Sequence, residues 1–166
     1  MTILQLLKEM IINSENTAYW ALIRQLSDMD IHSFFIHIGI PDPYVITEKN
    51  LVSPRNYIRI FKSLYYSTYL SRDLSELALD LTTDTQEEDL ISGGIPPEIQ
   101  VAHKFGIFEE TGALNRHDCG IVYLPKNNYF LCIMTKNLET TKSRELIQKL
   151  SQDIYEFIDK KSSIED

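Results

Sequence analysis

Three polar side chains occupy positions from which they could act on a ligand. Ser14 and Asn16 interrupt an otherwise apolar, helix-like opening and bring a hydroxyl and an amide into one short break. Lys104 stands alone between apolar residues of a strand-like run, where its ammonium can face a cleft or solvent. Because Ser and Asn between helices are also common helix caps, the sequence supports both a binding role and a purely structural one.

The remaining reactive side chains indicate structural roles. His103 and His117 suggest a metal pair, but no third ligand stands at zinc spacing, so neither a metal nor another cofactor is predicted. Asp118 is predicted to be a structural hydrogen-bond acceptor. Cys119 and Cys132 are too few for a disulfide framework and lie in strand-like runs, so two buried thiols are predicted, with a bridge or a metal pair as the alternatives.

The elements that must position these residues change in type half-way along the chain. Helical spacing of apolar residues dominates the first half, and β-branched and aromatic runs dominate the second. The predicted helices are an opening segment around 3–11, Thr17 to Leu26, Ile31 to Ile38, one that starts at Ser53-Pro54, and Leu74 to Leu81. An acidic loop, Thr82 to Pro97, precedes predicted strands at Gln100 to Phe105, His117 to Leu124 and Tyr129 to Thr135, and then a helix from Glu139 to Asp159. This order indicates an α+β fold.

The charge balance excludes several classes of partner. The chain has 16 basic and 24 acidic side chains and a formal net charge of −8. Sequence-independent binding to nucleic acid and docking on anionic lipid both need a cationic surface, so neither is predicted. No apolar run approaches the ~20 residues that span a bilayer. The opening segment lacks the basic stretch of a secretory signal, so no membrane insertion and no signal peptide is predicted.

Three stretches carry a family resemblance when they are taken together. Residues 7–18, which contain Ser14-Glu15-Asn16, are similar to a Ser-Asp-Asn loop with its flanking helices. Residues 51–57 are similar to a Thr-Ser-Pro-Arg-Asp helix start. Residues 101–106 and 117–123 are similar to a Lys-Thr-Gly strand and the His-Asp-Ala-Gly-Ile-Val strand that follows it. In this order and spacing, the chain resembles the class A β-lactamases and the penicillin-binding D-Ala-D-Ala peptidases over essentially its whole length.

This resemblance implies a β-lactamase/transpeptidase-like fold and, in the complete protein, acyl-serine hydrolysis of a β-lactam or a D-Ala-D-Ala peptide. It implies that Ser14, Asn16 and Lys104 are catalytic residues that converge on one pocket. Ser14 would pass a proton to the leaving nitrogen, and Asn16 would hydrogen-bond the substrate amide. The Lys104 ammonium would bind the substrate carboxylate.

The resemblance also implies a substrate-binding segment that continues along the strand after Lys104. Phe105 stands where the family has a Thr whose hydroxyl helps to hold the substrate carboxylate. Gly106 would let a substrate approach the strand closely. The backbone N–H of Ile107 would donate to the oxyanion.

The sequence departs from the family at the nucleophile. No serine of the chain has a lysine three positions further on, so the Ser-x-x-Lys nucleophile and its base are not in this sequence. We therefore expect an N-terminally incomplete single domain over 1–166, mainly helical in 1–97 and built of strands plus a C-terminal helix in 98–166. We expect this chain to be inactive alone. Glu48 stands too close to Ser53 to match the family's deacylating residue, so that role is not assigned.

Two alternatives to a β-lactamase-like hydrolase follow from these departures. One is a non-catalytic binding or assembly module that retains the fold, which the change to Phe105 favours. The other is a glutaminase-like amidohydrolase, because such proteins share the fold and the Ser-x-x-Lys chemistry. Whether the chain is part of an enzyme depends on which of the three is right.

The expected partners and location follow from the same resemblance. The small-molecule partner would be a β-lactam or a peptidoglycan-like peptide, and the location would be extracytoplasmic. The family sheet has five strands, with two N-terminal strands beside the last one. We therefore expect an incomplete sheet here, and we expect the edge from Tyr129 to Thr135 to self-associate or to be complemented by another segment.

Overall fold

The computed structural model describes residues 1–40, 51–85, 89–110 and 113–164. The chain forms two compact units, residues 1–87 and residues 88–166. The described elements are helices in the first unit and a three-stranded sheet with one long helix in the second, so the predicted α+β class is confirmed. Glu48 lies outside the described residues. None of the described helices has the length and apolarity needed to cross a bilayer.

Within its described residues, the first unit has five helices: α1 (Ile3–Ile12), α2 (Asn16–Ile23), α3 (Asp28–His37), α4 (Pro54–Tyr65) and α5 (Arg72–Thr83). Helix α1 packs against α2 and α5, and α4 packs against α5. The predicted helix start at Ser53-Pro54 is confirmed, because the Ser53 hydroxyl accepts a hydrogen bond from the Asn56 N–H at 3.2 Å and proline occupies the first turn.

Two helix boundaries in this unit differ from the prediction. Helix α2 ends at Ile23 rather than at Leu26. Helix α3 begins at Asp28, three residues before the predicted start, because Ser27 and Asp30 form a capping box in which each side chain binds the other's backbone N–H. Apolar spacing alone does not include these polar first-turn residues.

The second unit contains a 3-10 turn (Ser92–Gly94), strands β1 (Val101–Glu110), β2 (Ala113–Val122) and β3 (Tyr129–Thr135), and helix α6 (Thr140–Ile164). The strands form one antiparallel sheet in the order β1-β2-β3. Strands β1 and β2 both extend further towards their connection than predicted. Helix α6 continues to Ile164, beyond the predicted end at Asp159.

Alternation along the strands gives the sheet two different faces. One face packs against α6 and forms the core of this unit, which contains Leu90, Ile91, Ile95, Val101, Phe105, Val122, Leu131, Ile133 and Ile147. Lys104 and Cys119 are cross-strand partners, as are Gly106 and His117. Because directly opposed residues point to the same side, these four residues lie on the other face, which we call the outer face.

Candidate functional site

The loop between α1 and α2 is organised by Glu15, the residue between the two predicted catalytic positions. The Glu15 carboxylate accepts hydrogen bonds from the Thr17 N–H at 2.8 Å and the Ala18 N–H at 3.3 Å, so it caps α2. Asn16 is the first residue of α2 and Ser14 precedes the cap. The capping role considered for Ser14 and Asn16 therefore belongs to Glu15, a longer side chain that is uncommon as a cap.

Ser14 has a φ of 52°, in the left-handed region that favours glycine. Such a conformation costs free energy at a residue with a Cβ, and it persists only where the surroundings fix it. Here the preceding helix α1 ends at the Asn13 cap, and the following helix is held by Glu15. The two caps fix the backbone on both sides of the Ser14 hydroxyl.

Lys104 lies on the outer face of β1 and is partly buried. Its ammonium donates a hydrogen bond to the Phe105 carbonyl at 3.4 Å and lies 4.4 Å from the centre of the Phe105 ring. This distance is within the range of a cation–π contact. The ammonium therefore folds back over its own strand.

The three residues after Lys104 differ in their surroundings. Phe105 is buried in the core cluster, and the Lys104 ammonium contacts its ring. Ile107 is exposed. A Cβ built on Gly106 would meet no heavy atom within 4 Å, so the strand is open to approach at this residue.

Gly120 provides a contrast on the neighbouring strand. A Cβ at Gly120 would overlap the Ala102 carbonyl and the backbone and Cβ of His103. Gly120 is therefore required for packing between β1 and β2. Of these two glycines, only Gly106 leaves room for a ligand.

His117 lies directly across from Gly106 on the outer face. Burial lowers the pKa of its imidazole below the ordinary value of 6.5, and a backbone hydrogen bond with Arg116 opposes this shift. Its Nδ1 is buried, and no residue within the described ranges gives it a hydrogen-bond partner. The open surface at Gly106 therefore has a lysine on one side and an imidazole on the other.

Asp118 is buried on the core face, and it is a structural hydrogen-bond acceptor as predicted. One carboxylate oxygen accepts the Ile91 N–H at 2.9 Å. The His103 Nδ1 lies 2.9 and 3.0 Å from the two carboxylate oxygens. Across the described ranges, no three His, Cys, Asp or Glu side chains form a group that could hold a metal ion.

The prediction of two free thiols is wrong. Cys119 and Cys132 form a disulfide, with Cα atoms 3.9 Å apart. The reason is the strand register, which places the two residues directly opposite each other on β2 and β3. Sequence composition carries no information on register, and the hairpin turn around Asn127 was the signal from which the pairing could have been derived.

A family model described as the β-lactamase enzyme family matches residues 1–158. The chain belongs to the β-lactamase enzyme family. This confirms the resemblance stated from the Ser-Glu-Asn and Lys-Phe-Gly segments. No curated protein matches the chain.

Solved structures of β-lactamase-type proteins share the fold. The structure of PBP-A is 22% identical, with a TM-score of 0.81 over 96% of this chain and 62% of that chain. The chromosome-encoded β-lactamase of Vibrio parahaemolyticus is 16% identical, with a TM-score of 0.80 over 95% of this chain and 65% of that chain. The β-lactamase of Francisella tularensis is 19% identical, with a TM-score of 0.77 over 98% of this chain and 67% of that chain. The chain thus spans less than two thirds of the length of PBP-A.

The predicted site residues are divided between the two compact units. Ser14 and Asn16 belong to the first unit, whereas Lys104, Phe105, Gly106 and Ile107 belong to the second. Within the second unit, Lys104 and Gly106 share a face with His117, and Phe105 is turned into the core. Sequence reasoning gave His117 no role beyond that of a rejected metal ligand, and only the register between β1 and β2 places it on the same face as Lys104.

Proposed function

We propose that this β-lactamase-family chain supplies the proton-transfer and carboxylate-binding residues of a serine acyl hydrolase that acts on a β-lactam or a D-Ala-D-Ala peptide. The observation that carries the proposal is the outer face of β1. An ammonium at Lys104 stands beside a strand position, Gly106, that is open to a ligand. An anionic amide or lactam that lies along β1 gains a charge-assisted hydrogen bond without a steric clash.

The chain's own residues then have distinct tasks. Lys104 binds the substrate carboxylate, and the Ile107 N–H donates to the carbonyl oxygen as negative charge develops on it. The Ser14 hydroxyl passes a proton to the leaving nitrogen, and the Asn16 amide holds the substrate amide. The attacking serine and its lysine base are not in this sequence, so this chain alone forms no acyl-enzyme.

The conformation of the Ser14 loop supports this assignment. A proton-transfer hydroxyl must be held in place, because a small displacement from the reacting atoms costs a large factor in rate. The left-handed φ of Ser14 and the Glu15 cap fix the backbone around that hydroxyl. A solved structure of a PBP-A variant is an acyl-enzyme complex with penicillin G, which illustrates this chemistry on the shared fold.

Labelling of two expressed proteins with a fluorescent penicillin tests the proposal. The first product is this chain alone, and the second product also includes the coding sequence upstream of Met1. We expect no label on the first product and serine-linked label on the second. Lys104→Ala should slow labelling about 10- to 100-fold, the value of one hydrogen bond to a charged group, whereas Lys136→Ala, an equal charge change at an exposed residue, should leave it unchanged. An unlabelled longer product, or upstream sequence without Ser-x-x-Lys, would overturn the proposal.

The second candidate is a non-catalytic binding module, which the burial of Phe105 favours. In the family, a hydroxyl at this position helps to hold the substrate carboxylate, and here the side chain is part of the core. A module of this kind would bind D-Ala-D-Ala peptides reversibly through Lys104. Calorimetric binding that is lost in Lys104→Ala, together with no covalent label on the longer product, would identify it.

We also propose an extracytoplasmic location. The Cys119–Cys132 disulfide supports it, because disulfides persist in oxidising compartments. A fractionation experiment with thiol-blocking reagent added at lysis tests the location. We expect the chain outside the cytoplasmic membrane with both thiols unavailable to the reagent.

A further inference from the structure

Arg116 is a buried charged residue in the part of β2 that pairs with Ile107. Only 4% of its surface is exposed. A guanidinium is always charged and has only hydrogen-bond donors, so its burial costs free energy unless hydrogen bonds compensate. Its Nη1 donates to the Thr140 carbonyl at 3.3 Å. Because Thr140 is the first residue of α6, the Arg116 side chain joins β2 to the start of that helix.

Two backbone carbonyls fasten the same end of β2. The Arg116 carbonyl accepts a hydrogen bond from the Thr135 hydroxyl at 2.9 Å. The Leu114 carbonyl accepts one from the Leu138 N–H at 3.2 Å. The end of β2 is therefore bound to the last residue of β3, to the connection that follows it and, through the guanidinium, to α6.

Helix α6 is a firm anchor for the guanidinium. The Thr140 carbonyl also accepts a hydrogen bond from the Ser143 hydroxyl at 2.9 Å, which belongs to the first turn of the helix. Further along α6, the Ser151 hydroxyl donates to the Ile91 carbonyl at 2.8 Å and so binds the helix to the segment before β1. The helix end that receives the guanidinium is therefore itself fixed within the second unit.

The two carbonyl contacts also show which way the backbone of β1 points. In an antiparallel pair, directly opposed residues alternate between pairs that exchange backbone hydrogen bonds and pairs that do not. The Leu114 and Arg116 carbonyls point to residues of β3 and its connection, and therefore away from β1. Arg116 and Ile107 are thus a pair that exchanges no backbone hydrogen bonds. The Ile107 N–H consequently points outwards, at the edge of β1 that lies away from β2.

The spacing between β2 and β3 gives the same result independently. The Cα atoms of Cys119 and Cys132 lie 3.9 Å apart. Such close spacing is typical of an opposed pair that exchanges no backbone hydrogen bonds. The backbone of Cys119 therefore faces β1. Arg116 is separated from Cys119 by an odd number of positions, so its backbone faces β3.

The Lys104 ammonium lies at the same edge of β1 as this N–H. Phe105 stands two positions before Ile107, so its backbone groups point outwards as well. Its carbonyl accepts a hydrogen bond from the Lys104 Nζ at 3.4 Å. A carboxylate held by Lys104 and an oxygen bound by the Ile107 N–H would therefore lie along one edge. The further strands expected in the family's sheet lie beside β3, so this edge of β1 does not depend on them.

We propose that Arg116 is a positioning residue for the oxyanion donor of the proposed hydrolase. Its bond to Thr140 fixes β2 to α6 at the residue opposite Ile107, so the Ile107 N–H is held at one place beyond the edge of β1. Arg116 does not touch the substrate and acts only through Ile107. An oxyanion donor must already be in place when negative charge develops on the carbonyl oxygen. The inference rests on the proposed function, because it requires a substrate carbonyl at Ile107.

Nitrogen-15 relaxation of this chain measures the positioning without any need for activity. In Arg116→Met, the order parameter of the Ile107 amide should fall by at least about 0.1 from the ~0.85 of a rigid backbone. Arg116→Lys can still donate to the Thr140 carbonyl and should restore most of the order. The matched control is Arg144→Met, which removes an exposed guanidinium from the surface of α6 and should leave the Ile107 amide unchanged.

Saturation kinetics with the fluorescent penicillin separate binding from acylation in the product that includes the upstream coding sequence. Arg116→Met should lower the maximal labelling rate about 10- to 100-fold, because a displaced donor stabilises the oxyanion less. The penicillin concentration that gives half of this rate should change less than about twofold, because Lys104 still binds the carboxylate. Thr135→Val removes the hydroxyl that holds the Arg116 carbonyl, without a change of charge, and should act in the same direction. Arg144→Met should label at the wild-type rate.

Circular dichroism and thermal unfolding establish that each variant is folded, and Thr135→Val provides the test if Arg116→Met does not fold. A wild-type longer product without label would overturn the proposed function and, with it, the role of Arg116. If the wild type is labelled, an unchanged maximal rate in the folded variants would overturn the positioning role alone. An Ile107 amide that is as ordered in the variants as in the wild type would have the same consequence.

Discussion

Two glycines of one strand pair show how differently the same residue type can act. Gly106 lies where an added methyl group meets nothing, and Gly120 lies where it overlaps the neighbouring strand. We expect Gly106→Ala to change the free energy of unfolding by less than about 0.5 kcal/mol. Gly120→Ala should lower it by about 1–3 kcal/mol, because overpacking forces the backbone to move. Urea unfolding of both variants measures the difference, and an equal loss in the two would contradict the open surface at Gly106.

His117 gives the stability of the chain a dependence on pH. Burial lowers the pKa of its imidazole in the folded chain below 6.5, so the unfolded chain binds a proton more readily. The free energy of unfolding should therefore fall as the pH drops below about 6.5 and level off once the folded imidazole is also protonated. In His117→Gln this part of the pH dependence should be absent. Melting temperatures recorded from neutral to mildly acidic pH provide the comparison, and parallel curves for the two proteins would exclude this source.

At the level of single residues, the sequence located the strand that carries Lys104 but not the contacts of the neighbouring side chains. Phe105 was assigned to the substrate-binding segment after Lys104, whereas its side chain is buried in the core. The Glu15 cap was not predicted, because Glu is longer than the usual capping side chains and its reach depends on the local backbone. The roles of Ser14, Asn16 and Lys104 in catalysis stay predictions.

Asp118 connects the 89–94 segment to the sheet. It is buried and accepts hydrogen bonds from the Ile91 N–H and from His103. Asp118→Ala should therefore lower the free energy of unfolding by about 1–3 kcal/mol for each donor left without a partner. Asp153→Ala, on the exposed surface of α6, should change it by less than about 0.5 kcal/mol. Denaturant unfolding measures both variants. If Asp118→Ala lowers the free energy of unfolding no more than Asp153→Ala does, the hydrogen bonds of Asp118 do not have this stabilising role.

The disulfide joins β2 to β3 across a sequence separation of 13 residues. Closing a loop of this length restricts the unfolded chain by about 3 kcal/mol in the chain-entropy description. We expect a dithiol reductant to lower the free energy of unfolding by about 2–3 kcal/mol. The double variant Cys119→Ala, Cys132→Ala should show the same loss and no response to the reductant. Reductant-sensitive unfolding of the double variant would point to a different cause.

Helices and strands were predictable where a local signal marks them. Ser53-Pro54 determines a helix start by itself, whereas the first turn of α3 is polar and was missed by apolar spacing. The strands were shorter in the prediction, because Gly106 interrupts the apolar run of β1, and Asn115 and Arg116 interrupt that of β2. Pairing between strands, including the disulfide, is a property of the register, for which the turn around Asn127 between β2 and β3 is a local signal.

For the whole chain, the order of elements was sufficient to predict an α+β fold, and three short motifs were sufficient to predict the family. The division into two compact units was not predicted, although the segment from Thr82 to Pro97 is rich in polar residues, Gly and Pro, as domain boundaries often are. The motifs also do not identify the substrate, because substrate recognition depends on the shape of a pocket built from residues far apart in sequence.

The net charge of −8 leads to one prediction for the whole chain. Binding to nucleic acid through its phosphates requires many lysines or arginines that release counterions. We therefore expect the chain to leave the mobility of duplex DNA unchanged at low salt, where such binding is strongest. The acidic surface predicts the opposite behaviour on an anion exchanger, with retention that weakens as salt is added. A change in the mobility of DNA that disappears as salt is added would contradict the conclusion drawn from the net charge.

Substitutions in β1 should have two kinds of effect, depending on which side of the strand the residue faces. Val101, His103 and Phe105 serve the interior, while Lys104 and Gly106 open outward. A saturation library over positions 103–106 should therefore show a period of two. Changes at 103 and 105 would be seen first as reduced expression, and changes at 104 and 106 would pass an expression screen and alter only what the protein recognises. Selection for new ligands could then use 104 and 106 without loss of the folded state.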